Sequence, residues 1–416
     1  MPVIPARRKV FAALAVIVLV LCGVVAWLSW NSTRPVLAPI GYARVQPQIT
    51  CGRLGAIVLA PDGSLWGCGI NLHGTLSTNL PFRVPRPRRM SAQTNWIAVA
   101  LCSRMAAAIK DDGTLWTWGA DSVLRTGSPA AVTEGFQKVG EDKDWLSVSA
   151  SGARIFALKR DGTVWIWGPD FPNRVTGEAY GSDPPTQLGT SSNWLATPVG
   201  YDPSYGVQRD GSLWSLGRLP LKIPPTRVGS DTNWVRACGG WTRFSLLRKD
   251  DGSWWVCGAN LRFQQEILPT IHSSTQLVWL PQTERWEVVA AGFSHVLGLT
   301  RNGAMRALGF NDAGQLGDGT TSNRSTPVEI GSDKAWVAIG AGRGFSVALA
   351  ADGSLSAWGN RLGDVLSERS RVIRTLGAWA NRLGLRVTWA DPKPPRFGTK
   401  PRCILQFTTN APARPK

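Results

Sequence analysis

The residues able to do chemistry are few and scattered. Three histidines, His73, His272 and His295, lie far apart, and only His295 falls in a repeating slot of the chain. A histidine in only one of the repeat slots is too few for a three-histidine metal site, so no metal is expected. Asp-Gly pairs recur along the sequence, but aspartate before glycine is a turn former. Periodic carboxylates of that kind do not make a catalytic pair. The chain has no Gly-x-Ser-x-Gly elbow and no glycine loop opening a helix to cradle phosphate. These observations point away from an enzyme and from any cofactor. The residues left are contact candidates: Arg154, Arg243 and His295, which share one slot, and Trp241 beside Arg243. His295 itself reads as a turn residue bonded to backbone rather than as a ligand.

The slots come from one phrase, Asp-Gly-x-Leu-Trp-x-Trp-Gly. It begins at Asp62, Asp112, Asp161, Asp210, Asp251, Asn302 and Asp352, at near-constant spacing except for a shorter step after Asp210. A short apolar run precedes each phrase, and an Asp-Gly or Asn-Gly between two such runs is a hairpin signal. Further upstream a second strand opens with Trp96, Trp145, Trp194, Trp234, Trp286 or Trp336. A fourth segment precedes each of these, as in Pro-Phe-Arg-Val (81–84) and Pro-Val-Glu-Ile (327–330). Four short strands per unit with no helix between them make a propeller blade. The fold class is therefore all-β, a seven-bladed β-propeller of four-stranded blades over 43–360. An N-terminal strand pairing with C-terminal material is expected to close the ring and remove its open edge.

The chain has 416 residues, 21 Trp, 45 Gly and 28 Pro. Most of the tryptophans fall on template positions inside strands, which assigns them to packing between blades rather than to an exposed aromatic surface. The net charge of +18 is concentrated at the two ends. Arg7, Arg8 and Lys9 precede an uncharged run, 10–30, long enough at ~1.5 Å per residue to cross a ~30 Å hydrocarbon layer. Trp27 and Trp30 close that run. The expected organisation is a cytoplasmic N-terminus (1–9), one transmembrane signal-anchor helix (10–30), a linker (31–42) and a propeller outside the cytoplasm. A cleaved signal peptide is the competing reading, with a shorter apolar stretch and a small-residue site as its marks.

Residues 361–416 are strongly basic. Asp364 is an N-cap candidate, and Val365, Val372, Leu376, Trp379 and Leu383 follow at helical spacing. The runs 385–389 and 403–407 then read as strands. A capping helix plus a strand completing the last blade is expected there, and contact with anionic lipid or polymer is a compatible alternative. Of the seven cysteines, Cys22 lies in the apolar run. Cys68 and Cys257 stand in the second tryptophan slot, while Cys51, Cys102 and Cys238 end equivalent strands. Cys51 and Cys68, like Cys238 and Cys257, would sit on strands separated by a third, about two ~4.8 Å spacings apart. That is too far for a disulfide, so buried free thiols are expected.

Together, the phrase, period and companions resemble the regulator of chromosome condensation repeat family. Gly309-Phe310-Asn311-Asp312-Ala313-Gly314-Gln315-Leu316-Gly317 matches the family's Gly-x-Asn-x-x-Gly-Gln-Leu-Gly, and Gly319, Pro327, Val328 and Trp336 follow in family order. The resemblance covers about 43–360 and implies a seven-bladed ring. The family's Gly-x-x-His is kept only at Gly292–His295. The namesake's guanine-nucleotide exchange activity is implied by the resemblance alone, and no residue here matches a site for it. The reading is a membrane-tethered, non-catalytic scaffold offering one loop-lined face to a protein or polymer partner, nucleic acid being disfavoured. The alternative is a cell-envelope enzyme acting on polysaccharide or peptide, which needs two acids, or an acid and a base, meeting at the ring's mouth.

Overall fold

The computed structural model describes residues 44–119, 132–133, 135–152, 154–168, 185–200, 204–216, 225–239, 244–258, 277–280, 282, 284–359 and 402–406. The expected membrane helix (10–30), the linker and the tail helix lie outside them. No helix among the described residues is long and apolar enough to cross a membrane.

Seven antiparallel sheets follow one another along the chain, each strand pairing with its sequence neighbour except in blade 2, where Leu115–Gly119 pairs with Phe136–Lys138 and Val132–Thr133 adds a fifth strand beyond it. Blade 1 runs Gln48–Cys51, Gly55–Leu59, Leu65–Ile70 and Arg83–Arg89, from the axis outward, and blade 6 runs Trp286–Ala291, His295–Thr300, Met305–Gly309 and Arg324–Ile330. The phrase forms the third strand, the apolar run the second, and the Trp-opened segment the first. The segments read as 81–84 and 327–330 become outer strands, as expected. Buried runs such as Gly55–Leu59 and Phe345–Ala350 have no exposed alternate face because neighbouring blades cover both sides.

The spacing inside the phrase has a hydrogen-bond explanation. Asp112 Oδ1 accepts from both the amide and the hydroxyl of Thr114, and Thr114 Oγ1 accepts the Trp116 indole N–H at 2.9 Å. The same chain recurs from Asp62 through Ser64 to Trp66, from Asp161 through Thr163 to Trp165 and from Asp210 through Ser212 to Trp214. The amide and hydroxyl of Thr163 hold the Asp161 carboxyl below the usual range. Three blades add a lysine across two indoles. Lys110 lies over Trp96 and Trp116, Lys159 over Trp145 and Trp165, and Lys249 over Trp234 and Trp255. Trp96, Trp194, Trp286 and Trp336 are fully buried, so the tryptophan excess is packing. Trp279 departs from this, half-exposed on the outer strand of blade 5.

Two expectations need correction. Among the described residues, the ring does not close by an N-terminal strand pairing with C-terminal material. Gln48–Cys51 pairs with Gly55–Leu59 inside blade 1, and Arg402–Gln406 pairs with Ser354–Gly359 to finish blade 7. Closure is by packing: Ala56, Val58 and Trp66 of blade 1 share one core with Phe345, Val347 and Leu355 of blade 7. Gly340 makes this possible, since a Cβ there would stand 2.5 Å from Ile49 Cγ2. The tail strand itself falls where 403–407 was read. Blade 4 also departs from four strands. Its sheet holds Tyr205–Val207, Leu213–Ser215 and Thr226–Arg227, while its inner segment makes only single bridges, Trp194 to Gln208 and Val199 to Tyr205. Pro198 lies between those bridges and has no N–H to continue a ladder.

Cys51, Cys68, Cys102, Cys238 and Cys257 are free thiols. Cys51 and Cys68 face each other across Ala56 of the intervening strand, as expected. In blade 5 the partner of Cys257 across Ser245 is Gly239, so Cys238 sits one residue out of that register. Burial raises the Cys68 thiol to about 12.

Candidate partner-binding face

Because each blade is an antiparallel meander, its connections alternate between the two ends of the ring. One end carries the uniform Asp-Gly turns. The other carries the first hairpin turn of each blade and the loops that follow the phrase. That second end, the loop face, is where the described candidates, Arg154 and His295, fall. Arg154 opens the second strand of blade 3 and is half-buried. His295 opens the equivalent strand of blade 6. Arg243 and Trp241 lie outside the described residues.

The first-hairpin turns form a collar. Ser103 N–H donates to Gly152 O at 3.1 Å and Phe293 N–H donates to Gly342 O at 3.1 Å, so turns of adjacent blades are tied to each other. Arg343 lies over the ring of Phe293, 5.3 Å from its centroid, and Phe293 is 37% exposed. Arg53 and Arg104 occupy the corresponding turns of blades 1 and 2 and are exposed. Among the described residues of these turns there are four arginines and no carboxylate. No group of histidine, cysteine and carboxylate side chains among the described residues could hold a metal ion.

His295 is not the backbone-bonded turn residue the sequence suggested. It is 0% exposed, and its Nε2 lies 2.9 Å from Ser346 Oγ in blade 7. The Ser346 hydroxyl donates to Gln315 O at 2.8 Å, so its proton is committed and His295 Nε2–H must be the donor. His295 Nδ1 has no hydrogen-bond partner, and burial lowers the imidazole to about 3. Gly292 permits the packing, because a Cβ there would come within 2.2 Å of His295 Cε1. His295 therefore lies beneath the loop face, bridging blades 6 and 7, and is not exposed on it.

Sequence reasoning missed the residues that hold the loops. In blade 6, Asn311 is fully buried. Its Nδ2 donates to Thr320 O and Ser322 O, and its Oδ1 accepts from Leu316 N. In blade 1, Asn71 repeats the arrangement, donating to Ser77 O and Leu80 O and accepting from Leu76 N. Gly69-x-Asn71-x-x-Gly74-x-Leu76 is thus a worn second copy of Gly309-x-Asn311-x-x-Gly314-x-Leu316, a signal present in the sequence. Each loop is then latched to the next blade by an indole in the second tryptophan slot. Trp118 Nε1 donates to Thr75 O and Trp358 Nε1 to Gln315 O, both at 2.9 Å. In blade 5 the slot holds Cys257, whose thiol donates to the Tyr205 hydroxyl at 2.9 Å.

Comparison with known proteins fits this geometry. Residues 302–349 match the family model described as the regulator of chromosome condensation (RCC1) repeat. A stretch of 128 residues, 30% of this chain and 28% of the other, is 31% identical to the mitochondrial RCC1 domain-containing protein RUG3 of Arabidopsis thaliana. This chain thus matches less than a third of that relative's length. Among solved structures, yeast RCC1 (Prp20) bound to Kap60 superposes with a TM-score of 0.59 at 17% identity, covering 79% of this chain and 84% of that one. Human WBSCR16 gives 0.58 at 18% identity over 71% and 84%. At these identities the likeness shows the fold alone. The chain carries an RCC1 repeat at 302–349, set in a seven-bladed propeller of RCC1-like architecture.

Proposed function

We propose that the protein is a non-catalytic scaffold, tethered to a membrane by residues 10–30, that presents the loop face of its propeller to a protein partner outside the cytoplasm. One observation carries this reading: the two ends of the ring differ in how much they vary. The turn end repeats the same Asp-Gly hairpin in blade after blade. At the loop end, the connection after the phrase ranges from 216–225 in blade 4 to 360–401 in blade 7. Variation on a rigid ring is where recognition sits. Arg154, Arg243 and Trp241 are the proposed contacts, with Arg343 and Phe293 added by the collar. The yeast protein Prp20 has been solved with Kap60, and its binding to Gsp1p and histones has been described. Such use of an RCC1-like propeller supports a protein as the partner here.

Proximity labelling from the propeller in its native cell, read by mass spectrometry, tests the scaffold. Recurrent capture of one protein or complex is expected, and capture of dispersed metabolic enzymes would reject the reading. Topology is tested separately with a reporter enzyme fused after Lys416, expected to be active only outside the cytoplasm.

A further inference from the structure

The outer strand of blade 1 does something the repeat does not require. Residues 83–89 read Arg-Val-Pro-Arg-Pro-Arg-Arg, with Arg83, Arg88 and Arg89 exposed and Val84 and Pro87 buried. Phe82, just before them, is 57% exposed. No Asp or Glu occurs anywhere from Gly63 to Lys110. No carboxylate among the described residues pairs with Arg83, Arg88 or Arg89, and Arg89 Nη2 donates to Ala92 O at 3.0 Å. The strand is also held firmly: Phe82 O accepts the Asn71 N–H of the latched loop at 2.8 Å.

We infer that this rim strand docks on an anionic lipid surface. Shape and chemistry choose the occupant. The seven residues extend roughly 20 Å along the outer edge of the ring, at ~3.3 Å per residue. The exposed arginines Arg83, Arg88 and Arg89 are spread along this outer strand, an elongated arrangement of positive charge that suits a plane of phosphate headgroups. Pro85 and Pro87 remove two N–H donors from an edge that a partner's strand would need, so strand addition by a peptide is disfavoured. An exposed phenylalanine beside arginines is the pairing that sits at the headgroup boundary. The inference rests on the proposed tether. Residues 31–43 can span at most roughly 45 Å at ~3.3–3.6 Å each, so blade 1 stays near the bilayer. The chain enters the ring at Arg44, which donates its N–H to Pro61 O on the turn end. Arg89 ends the rim strand on that same side.

The test uses the full chain, reconstituted into vesicles of phosphatidylcholine alone or of phosphatidylcholine mixed with phosphatidylglycerol, with amide exchange followed over 80–92. Protection about tenfold or more greater on the mixed vesicles is expected, on the scale of surface attraction for a few cations. It should be lost at high salt and in the Arg83→Gln, Arg88→Gln, Arg89→Gln variant, whose blade 1 core amides should stay protected. Equal exchange on both vesicles, with the chain retained by both, overturns the docking and leaves the tether intact. Failure of plain phosphatidylcholine to retain the chain overturns the tether. Retention by the mixed vesicles alone, abolished by the triple variant, would still uphold the docking. Equal protection by soluble polyglutamate would overturn it in favour of an acidic protein.

Discussion

In blade 6 the tryptophan slot of the phrase holds Arg306, which faces Glu329 on the outer strand and pairs with it at 2.5 Å and with Glu284 at 2.6 Å. In blade 1 the same slot holds Trp66, which faces Arg89, and Arg89 has no carboxylate partner among the described residues. The two blades are otherwise close copies. Each has a seven-residue outer strand, a buried asparagine organising the loop after the phrase, and an indole from the next blade latched to that loop. Blade 6 spends its charges inside the sheet, and Arg324 is likewise paired with Asp318. Blade 1 satisfies its phrase with Ser64 and Trp66 and leaves its arginines facing outward. One scaffold therefore supports two rims, which differ at the phrase slot, Trp66 against Arg306, and at the outer-strand position facing it, Arg89 against Glu329.

The latch is where the comparison breaks most visibly. Trp118→Ala and Trp358→Ala each remove a buried indole and orphan the carbonyl it bonds, and each is expected to cost about 3–5 kcal/mol in urea unfolding. Similar losses would show that the two latches are equivalent; a loss confined to Trp358 would make the blade 1 loop a passive copy.

A second difference lies at the start of the second strand, where blade 6 has His295 and blade 1 has Gly55. The imidazole's folded value of about 3 lies below its ordinary 6.5. Between those values the unfolded chain binds the proton and the folded chain does not. Stability is therefore lost as pH falls from 6.5 toward 3. At pH 5 the loss is about 2 kcal/mol relative to pH 7, and unfolding curves of His295→Gln should lack that part of the decline. An unchanged pH slope would mean that His295 takes up its proton without opening the blade interface.

The smallest effect expected is on the rim itself. Glu329→Gln leaves Arg306 with Glu284 and should change stability by less than about 1 kcal/mol, because the pair is partly exposed. It should, however, give blade 6 a more basic rim, readable as greater retention on anionic vesicles.

Much of this was legible in the sequence. The Asp-Gly-Ser/Thr-x-Trp spacing is a hydrogen-bond chain in its own right, so it survived copying and marked each phrase. The latched loop of blade 1 was not read, because Thr75 and Ser77 stand where blade 6 has Gln315 and Gly317. Only the buried asparagine, two glycines and one leucine keep the pattern. His295 was misplaced because its repeat slot gives the turn but not the neighbour, Ser346, which belongs to the next blade. Cys238 fell one residue out of register for a similar reason: strand ends set by residue type are less certain than pairings set by the ladder. Closure is not legible in strand patterns, because the first and last blades meet by packing, with Gly340 against Ile49, and not by a shared ladder.

The central claim, that the loop face meets a protein partner, is tested most directly by photocrosslinking from its two ends. A photoreactive residue at position 343 or 53 samples the loop face, and one at 111 or 209 samples the turn face. Irradiation in the native cell should give a discrete protein adduct from 343 and 53 and none from 111 and 209. Adducts from the turn face alone, or equally from both, would contradict the account.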